Sequence, residues 1–199
     1  FIIYHSAICA GTDPCSSVEG PFDENDTSKQ TGTNALIRSV LDNGIKPGGN
    51  VYGEIGTAFN NIKSDPTQSA HFFGKLLKYL GEDNVVWGTD CIINGNPQSQ
   101  IEVFRTLTIP QAMQDQYGYP ALTDAVKAKI FGLNSAKLYG VDAEAQRCAI
   151  TATALNQLKQ DVDQELGGRR WAFEPPKGPQ TYEEWWEGAE EMRRTGRPG

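Results

Sequence analysis

Apolar residues in this chain fall into short continuous runs that alternate with longer stretches spaced at helical intervals. Three runs are strand-like: Phe1-Ile2-Ile3-Tyr4, the stretch 50–55 around Val51, Tyr52 and Ile55, and the stretch 84–90 around Val85-Val86-Trp87. Between and after them the spacing turns helical. Leu36, Ile37, Val40 and Leu41 predict a helix over 33–42, with Asn43-Gly44 as its stop. Phe73, Leu76, Leu77 and Leu80 predict a helix over 67–80, with Lys75 and Lys78 on its polar side. Pro97 opens another helix, carried by Ile101, Phe104 and Leu107 and broken at Ile109-Pro110. A short helix over 111–117 and one capped by Thr123 complete the set; the latter runs through Val126, Ile130, Leu133 and Leu138 to near Gly140. Strand, helix, strand, helix, strand, helix is the signature of βαβ units and a parallel sheet, so the fold class is α/β.

The connections are polar. Residues 11–30 are rich in Gly, Pro, Ser, Asp and Asn and read as a long loop, as does the stretch around Ser64-Asp65-Pro66. After residue 142 the composition changes. Ala152, Leu155, Leu158 and Val162 predict a helix over 149–166, Pro175-Pro176-Lys177-Gly178-Pro179 an extended linker, and Thr181-Tyr182-Glu183-Glu184 a capping box before Trp185 and Trp186. The chain therefore divides into 1–142 and a helical extension, 143–199, whose aromatic residues pin it to the body or to a neighbouring subunit in a homo-oligomer. The apolar opening at Phe1 reads as the middle of a buried strand, which predicts a carboxyl-terminal piece of a longer protein.

Composition narrows the partners. A net charge of -7 argues against nucleic acid and anionic membrane, which favour basic faces. No apolar run approaches the roughly 20 residues that span a bilayer. No compartment is assigned beyond the cytoplasmic default, since an export signal would sit in the upstream part. The four cysteines, Cys9, Cys15, Cys91 and Cys148, form no C-x-x-C pair and are spaced irregularly for structural zinc.

Candidate chemistry sits at the strand ends. His5 follows the first run and Asp90 closes the third. If the strands are parallel, both side chains meet on one rim, where an imidazole and a carboxylate suit a metal site or acid–base work. Glu54 lies inside the short apolar strand 50–55, and burying a lone carboxylate is costly, so it faces the rim or a cation and is a candidate to line the site. His71 opens the helical run 71–80 and reads as surface or packing. No phosphate-binding loop and no G-x-S-x-G elbow appears.

Taken together, Tyr4-His5-Ser6, Val51-Tyr52-Gly53-Glu54-Ile55-Gly56, Val85-Val86-Trp87-Gly88-Thr89-Asp90 and the stretch from Ile130-Phe131-Gly132 through Leu138-Tyr139-Gly140 resemble, in that order, the amidohydrolase-related branch of the metal-dependent TIM-barrel hydrolases. Residues 95–102 resemble that branch's segment after its last strand. The resemblance implies an incomplete (β/α)8 barrel in which 1–5, 51–55 and 84–90 stand for strands six, seven and eight. It implies a divalent metal, with zinc the expected ion, and a small-molecule substrate. It makes Asp90 a metal ligand and proton acceptor, and His5 a second candidate ligand or a group that polarises the substrate. The family's first-strand His-x-His and fifth-strand His or Lys have no counterpart here, so the 199 residues alone are expected to be inactive. The implied reaction is attack of metal-activated water on an ester, lactone or amide-like bond. Two alternatives stand beside it: non-oxidative decarboxylation on the same barrel, and a non-catalytic barrel piece serving as an interaction surface through Trp171, Trp185 and Trp186. The loop 11–33 and the segment 91–97 are expected to line the pocket.

Overall fold

Three short parallel strands form one sheet. In the computed structural model, which describes residues 1–8, 19–26, 31–91, 93–145 and 152–165, they are β1 (Ile2–Ile3), β2 (Tyr52–Glu54) and β3 (Val85–Val86), adjacent in the order β1-β2-β3. Ile2 pairs with Tyr52 and Ile3 with Gly53; Gly53 pairs with Val85 and Glu54 with Val86. The strands are shorter than the apolar runs that announce them. Backbone bonds continue one residue further, from Ile55 N to Val86 O at 3.2 Å and from Tyr52 N to Phe1 O at 2.8 Å. Beyond those points the chain turns off the sheet: Tyr4–Ala7 forms a tight left-handed turn and Trp87 to Asp90 runs without a ladder partner.

The helices cover the sheet as the spacing predicts, with two departures. After β1 comes α1 (Gly32–Asp42). After β2 comes α2 (Gly56–Ile62), which the polar appearance of the sequence conceals. It forms because Ala58, Phe59 and Ile62 fall on one buried face while Asn61 points to solvent. Asp65 then caps α3 (Pro66–Tyr79), its Oδ1 accepting from Thr67 N at 2.9 Å and Gln68 N at 3.1 Å, with Pro66 in the first turn. Past β3 lie α4 (Gln98–Thr106), α5 (Gln111–Tyr117) and α6 (Asp124–Ala128). The second departure follows: the helix predicted to run unbroken to Gly140 widens into a π turn over Lys129–Leu133 before α7 (Asn134–Tyr139). Asn134 explains the anchoring there. Its buried amide donates to Glu82 O at 2.8 Å and Val85 O at 2.7 Å and so ties α7 to the start of β3.

The core between sheet and helices is aromatic. Phe59, Phe73 and Phe104 are fully buried, with ring centroids 4.9 to 5.9 Å apart, and Trp87 joins them at 5.3 Å from Phe104 and 4.6 Å from Phe131. Such edge and tilted pairs add about 0.5–1.5 kcal/mol each beyond the area they bury.

Lys75 contradicts the amphipathic reading of α3. It points inward with 1% of its side chain exposed, its ammonium 2.6 Å from Glu19 Oε2 and 2.7 Å from Asn34 Oδ1. Glu19 in turn accepts from Thr33 Oγ1 at 2.9 Å, and its N–H donates to Gln68 Oε1 at 3.0 Å. This clasp joins the β1–α1 connection, α1 and α3. Burial lowers the lysine's pKa and the Glu19 charge partly restores it. His71 lies within α3, not at its start. It packs edge-on to Tyr117 and Tyr119, with Nδ1 3.1 Å from the Tyr119 hydroxyl, and burial followed by the Lys75 charge lowers its pKa.

The chain divides into two compact units, Phe1–Val141 and Asp142–Gly199. In the second, α8 (Ala152–Glu165) is the predicted helix, with Leu155 and Leu158 more than half exposed. The linker 175–179, the capping box at 181–184 and Trp171, Trp185 and Trp186 lie outside the described residues, as do Cys9, Cys15 and Cys148; Cys91 is a free, exposed thiol. Among the described residues no helix is long and apolar enough to cross a membrane.

Two predictions follow from the α3 contacts. Lys75→Met leaves the Glu19 carboxylate buried and uncompensated and should cost about 3–5 kcal/mol. Adding Glu19→Gln should recover most of that loss in urea titrations, and a single variant as stable as wild type would remove the clasp from the stability account. His71, depressed below the unfolded value, contributes stability that is complete above about pH 6.5 and is lost as pH falls through its folded pKa. Imidazole NMR titration should find its midpoint below that value.

Candidate functional site

Because all three strands run the same way, their carboxyl ends share one rim, and each delivers one ionisable side chain there. β1 delivers His5, β2 Glu54 and β3 Asp90. His5 Nδ1 lies 3.2 Å from Asp90 Oδ2 and 3.3 Å from Glu54 Oε2. The two outer members are open to solvent, with 34% of the His5 and 28% of the Asp90 side chain exposed, whereas Glu54 is 8% exposed and forms the floor.

Backbone strain marks the two open residues. His5, Ser6 and Ala7 take φ values of 54°, 47° and 61°, and Asp90 takes 48°. The left-handed region costs an L-residue about 1–2 kcal/mol, so a run of three needs strong bracing. Glu54 supplies it. Its Oε2 accepts from His5 N at 2.7 Å, its Oε1 accepts from Gly56 N at 2.7 Å, and its backbone carbonyl accepts from the buried Ser6 hydroxyl at 2.9 Å. The carboxylate therefore closes β1's turn onto β2.

Asp90 is held from the other side. Its Oδ2 accepts from both Thr57 N and Thr57 Oγ1, each at 2.7 Å. Asn94 donates to Thr57 Oγ1 at 3.1 Å and to Thr89 O at 3.3 Å. The left-handed turn at Asp90 brings Asn94 back, since Asp90 O accepts from Ile93 N at 2.9 Å and Asn94 N at 2.8 Å. Below, the buried Gln100 donates to Thr89 O at 3.0 Å.

Two glycines make room. A Cβ on Gly56 would sit 2.6 Å from both Asp90 Oδ2 and His5 Nδ1 and 2.7 Å from Glu54 Oε1. A Cβ on Gly88 would fall 1.7 Å from Glu54 Oε1. The motif Trp87-Gly88-Thr89-Asp90 thus needs glycine because a buried carboxylate occupies the space over it.

Proton placement on the imidazole follows from its neighbours. Two carboxylate oxygens within 3.3 Å of Nδ1 favour a proton on that nitrogen, which in the neutral ring leaves Nε2 as the unprotonated one. Thr57 N is also 3.3 Å from Nδ1, but its N–H goes to Asp90 Oδ2 at 2.7 Å, the shorter contact with a charged acceptor.

Of the residues expected from sequence, the structure brings His5, Glu54 and Asp90 together. Thr57, Asn94, Ser6 and Gln100 are not visible as site residues in the sequence; the one cue is Thr57's place just after Gly56. Of the loop expected to line the pocket, residues 9–18 and 27–30 lie outside the described residues. The part described turns elsewhere: Pro21, Phe22, Asp23, Glu24 and Asn25 line a cleft of about 440 Å³ with Lys78, Tyr79 and Tyr117, which includes none of the three rim residues. Among the described residues, no group of three or more His, Cys, Asp or Glu is arranged to hold a metal ion. Backbone N–H groups engage both oxygens of Glu54.

Residues 45–141 match the family model described as Amidohydrolase. The matched stretch contains β2, β3, Glu54, Thr57 and Asp90 and stops short of His5, which joins them through strand pairing. No curated protein and no solved structure matches the chain.

The crowding at Gly88 is directly testable. Gly88→Ala must displace Glu54 and should destabilise the protein by about 1–3 kcal/mol or more. Ala7→Gly, which relieves left-handed strain, should stabilise it by up to about 1 kcal/mol. Denaturant midpoints that move the opposite way for both would refute this account of the rim.

Proposed function

We propose, from the match of residues 45–141 to the family model described as Amidohydrolase, that this chain supplies part of the active site of a hydrolase acting on an ester, lactone or amide-like bond of a small molecule. The observation that carries the reading is the 3.2 Å approach of His5 Nδ1 to Asp90 Oδ2 at the common end of parallel strands. In the barrel that the family implies, β1, β2 and β3 stand for strands six, seven and eight. What supports this is that, among the described residues, β1 and β3 each pair on one side only, and an open parallel edge leaves backbone groups for further strands to satisfy.

Asp90 acts as general base: its carboxylate takes the proton as water attacks the carbonyl carbon. His5 is held through Nδ1 by two carboxylates and presents Nε2 to the substrate. Protonated there, it donates to the carbonyl oxygen as negative charge gathers on it. Glu54 works below them, fixing His5 rather than touching substrate. A divalent ion, zinc being the one expected, would bring water already close to ionisation at neutral pH. His5 and Asp90 are the side chains here suited to such an ion. A catalytic zinc takes three protein ligands. The described residues do not complete that set, and the roles given to Asp90 and His5 stand on proton transfer and hydrogen bonding alone.

The reading is tested in two steps. Calorimetric titration of zinc into the 199-residue chain should show binding weaker than micromolar, because the ligand set is partial; submicromolar binding would sink that claim. In a complete, active barrel carrying this segment, Asp90→Asn should lower kcat towards ester and lactone substrates by about 100-fold or more. An unchanged rate would remove Asp90 from the chemistry, and release of carbon dioxide from an aromatic acid in place of hydrolysis would make the protein a decarboxylase.

A further inference from the structure

We propose that Thr57 is a positioning residue: held by Asn94, it locks the Asp90 carboxylate with one oxygen satisfied and the other presented to the reacting water. The proposal rests on the reading of Asp90 as the base, but its structural half can be tested apart from that reading.

Among the described residues, the hydrogen bonds that reach Asp90's side chain fall on one oxygen. Oδ2 accepts from Thr57 N and Thr57 Oγ1, both at 2.7 Å, and lies 3.2 Å from His5 Nδ1. A hydroxyl has a single proton and can point it in several directions. Here its direction is set, because Oγ1 accepts from Asn94 Nδ2 at 3.1 Å, an atom that can only donate, and the proton is left to go to Asp90. Asn94 is itself fixed through Thr89 O, which Gln100 also reaches. The sequence Gln100, Thr89, Asn94, Thr57, Asp90 runs from a fully buried amide to a partly open carboxylate.

The arrangement has a chemical consequence. A general base needs a lone pair aimed at the proton it removes, and its effectiveness falls steeply with misalignment. Two strong donors on Oδ2 take that oxygen out of competition and hold the carboxylate plane. Oδ1 is then the oxygen that receives the proton. A valine in place of Thr57 would keep the shape and the backbone donor but lose the hydroxyl that fixes the plane.

Crystal structures of Thr57→Val and Thr57→Ser in the full chain test the positioning. Asp90 should rotate or split between two orientations in T57V and keep a single orientation in T57S; one unchanged orientation in T57V overturns the proposal. Kinetics on an ester or lactone that the active barrel hydrolyses test the consequence. T57V should lose about 100-fold in kcat, with KM and the melting midpoint little changed, and T57S should restore most of it. Equal losses in T57V and T57S, or a loss that tracks melting, would reduce Thr57 to a packing role. If wild type hydrolyses neither class, the reading of Asp90 as base fails, while the two crystal structures still decide whether Thr57 orients it.

Discussion

One buried carboxylate sets the geometry of this molecule. Glu54 sits at the end of the central strand and accepts from the backbone N–H of His5 on one oxygen and of Gly56 on the other. Charge-assisted bonds of this kind are about twice as strong as neutral ones, and leaving either donor buried without a partner would be costly. The left-handed turn after β1, the start of α2 and the direction of the His5 ring all depend on that group. Two glycines then become necessary, since any side chain at 56 or 88 would occupy space already filled by carboxylate or imidazole.

The fold was legible in the sequence wherever apolar spacing dominated. The three apolar runs and the helices α1, α3 and α4 follow from it, because burial of Leu36, Phe73, Leu76 and Phe104 selects one face of each helix. Where polar residues do structural work the reading fails. Asn60 and Asn61 disguise α2, and Lys75 looks like a surface lysine until Glu19, which arrives from the preceding connection, is found beside it. Nothing local to α3 signals that partner, which lies 56 positions away.

The site shows the same division. His5 and Asp90 stand out because strand ends in parallel sheets face one way, so a residue's place in the strand predicts its place on the rim. Glu54 is suspect because a carboxylate in an apolar strand demands an explanation. Thr57 and Asn94 raise no such question in sequence. Their role comes from a turn in which Asp90 adopts φ 48° and folds Asn94 back over the start of α2, and single-residue backbone twists of that kind leave no periodic trace.

The pairing of β1 has a dynamic consequence. It meets β2 through two residue pairs, Ile2 with Tyr52 and Ile3 with Gly53, about fifty positions apart in the chain, and among the described residues no other strand pairs with it. Sheet margins fray before interiors, and closing so long a span is entropically dear. Histidine is therefore carried on the strand that joins β2 across the longer stretch of chain, about fifty positions against about thirty for β3. Partial detachment of that strand would carry the imidazole away from both carboxylates, so the spacing of the trio depends on a pairing between distant parts of the chain.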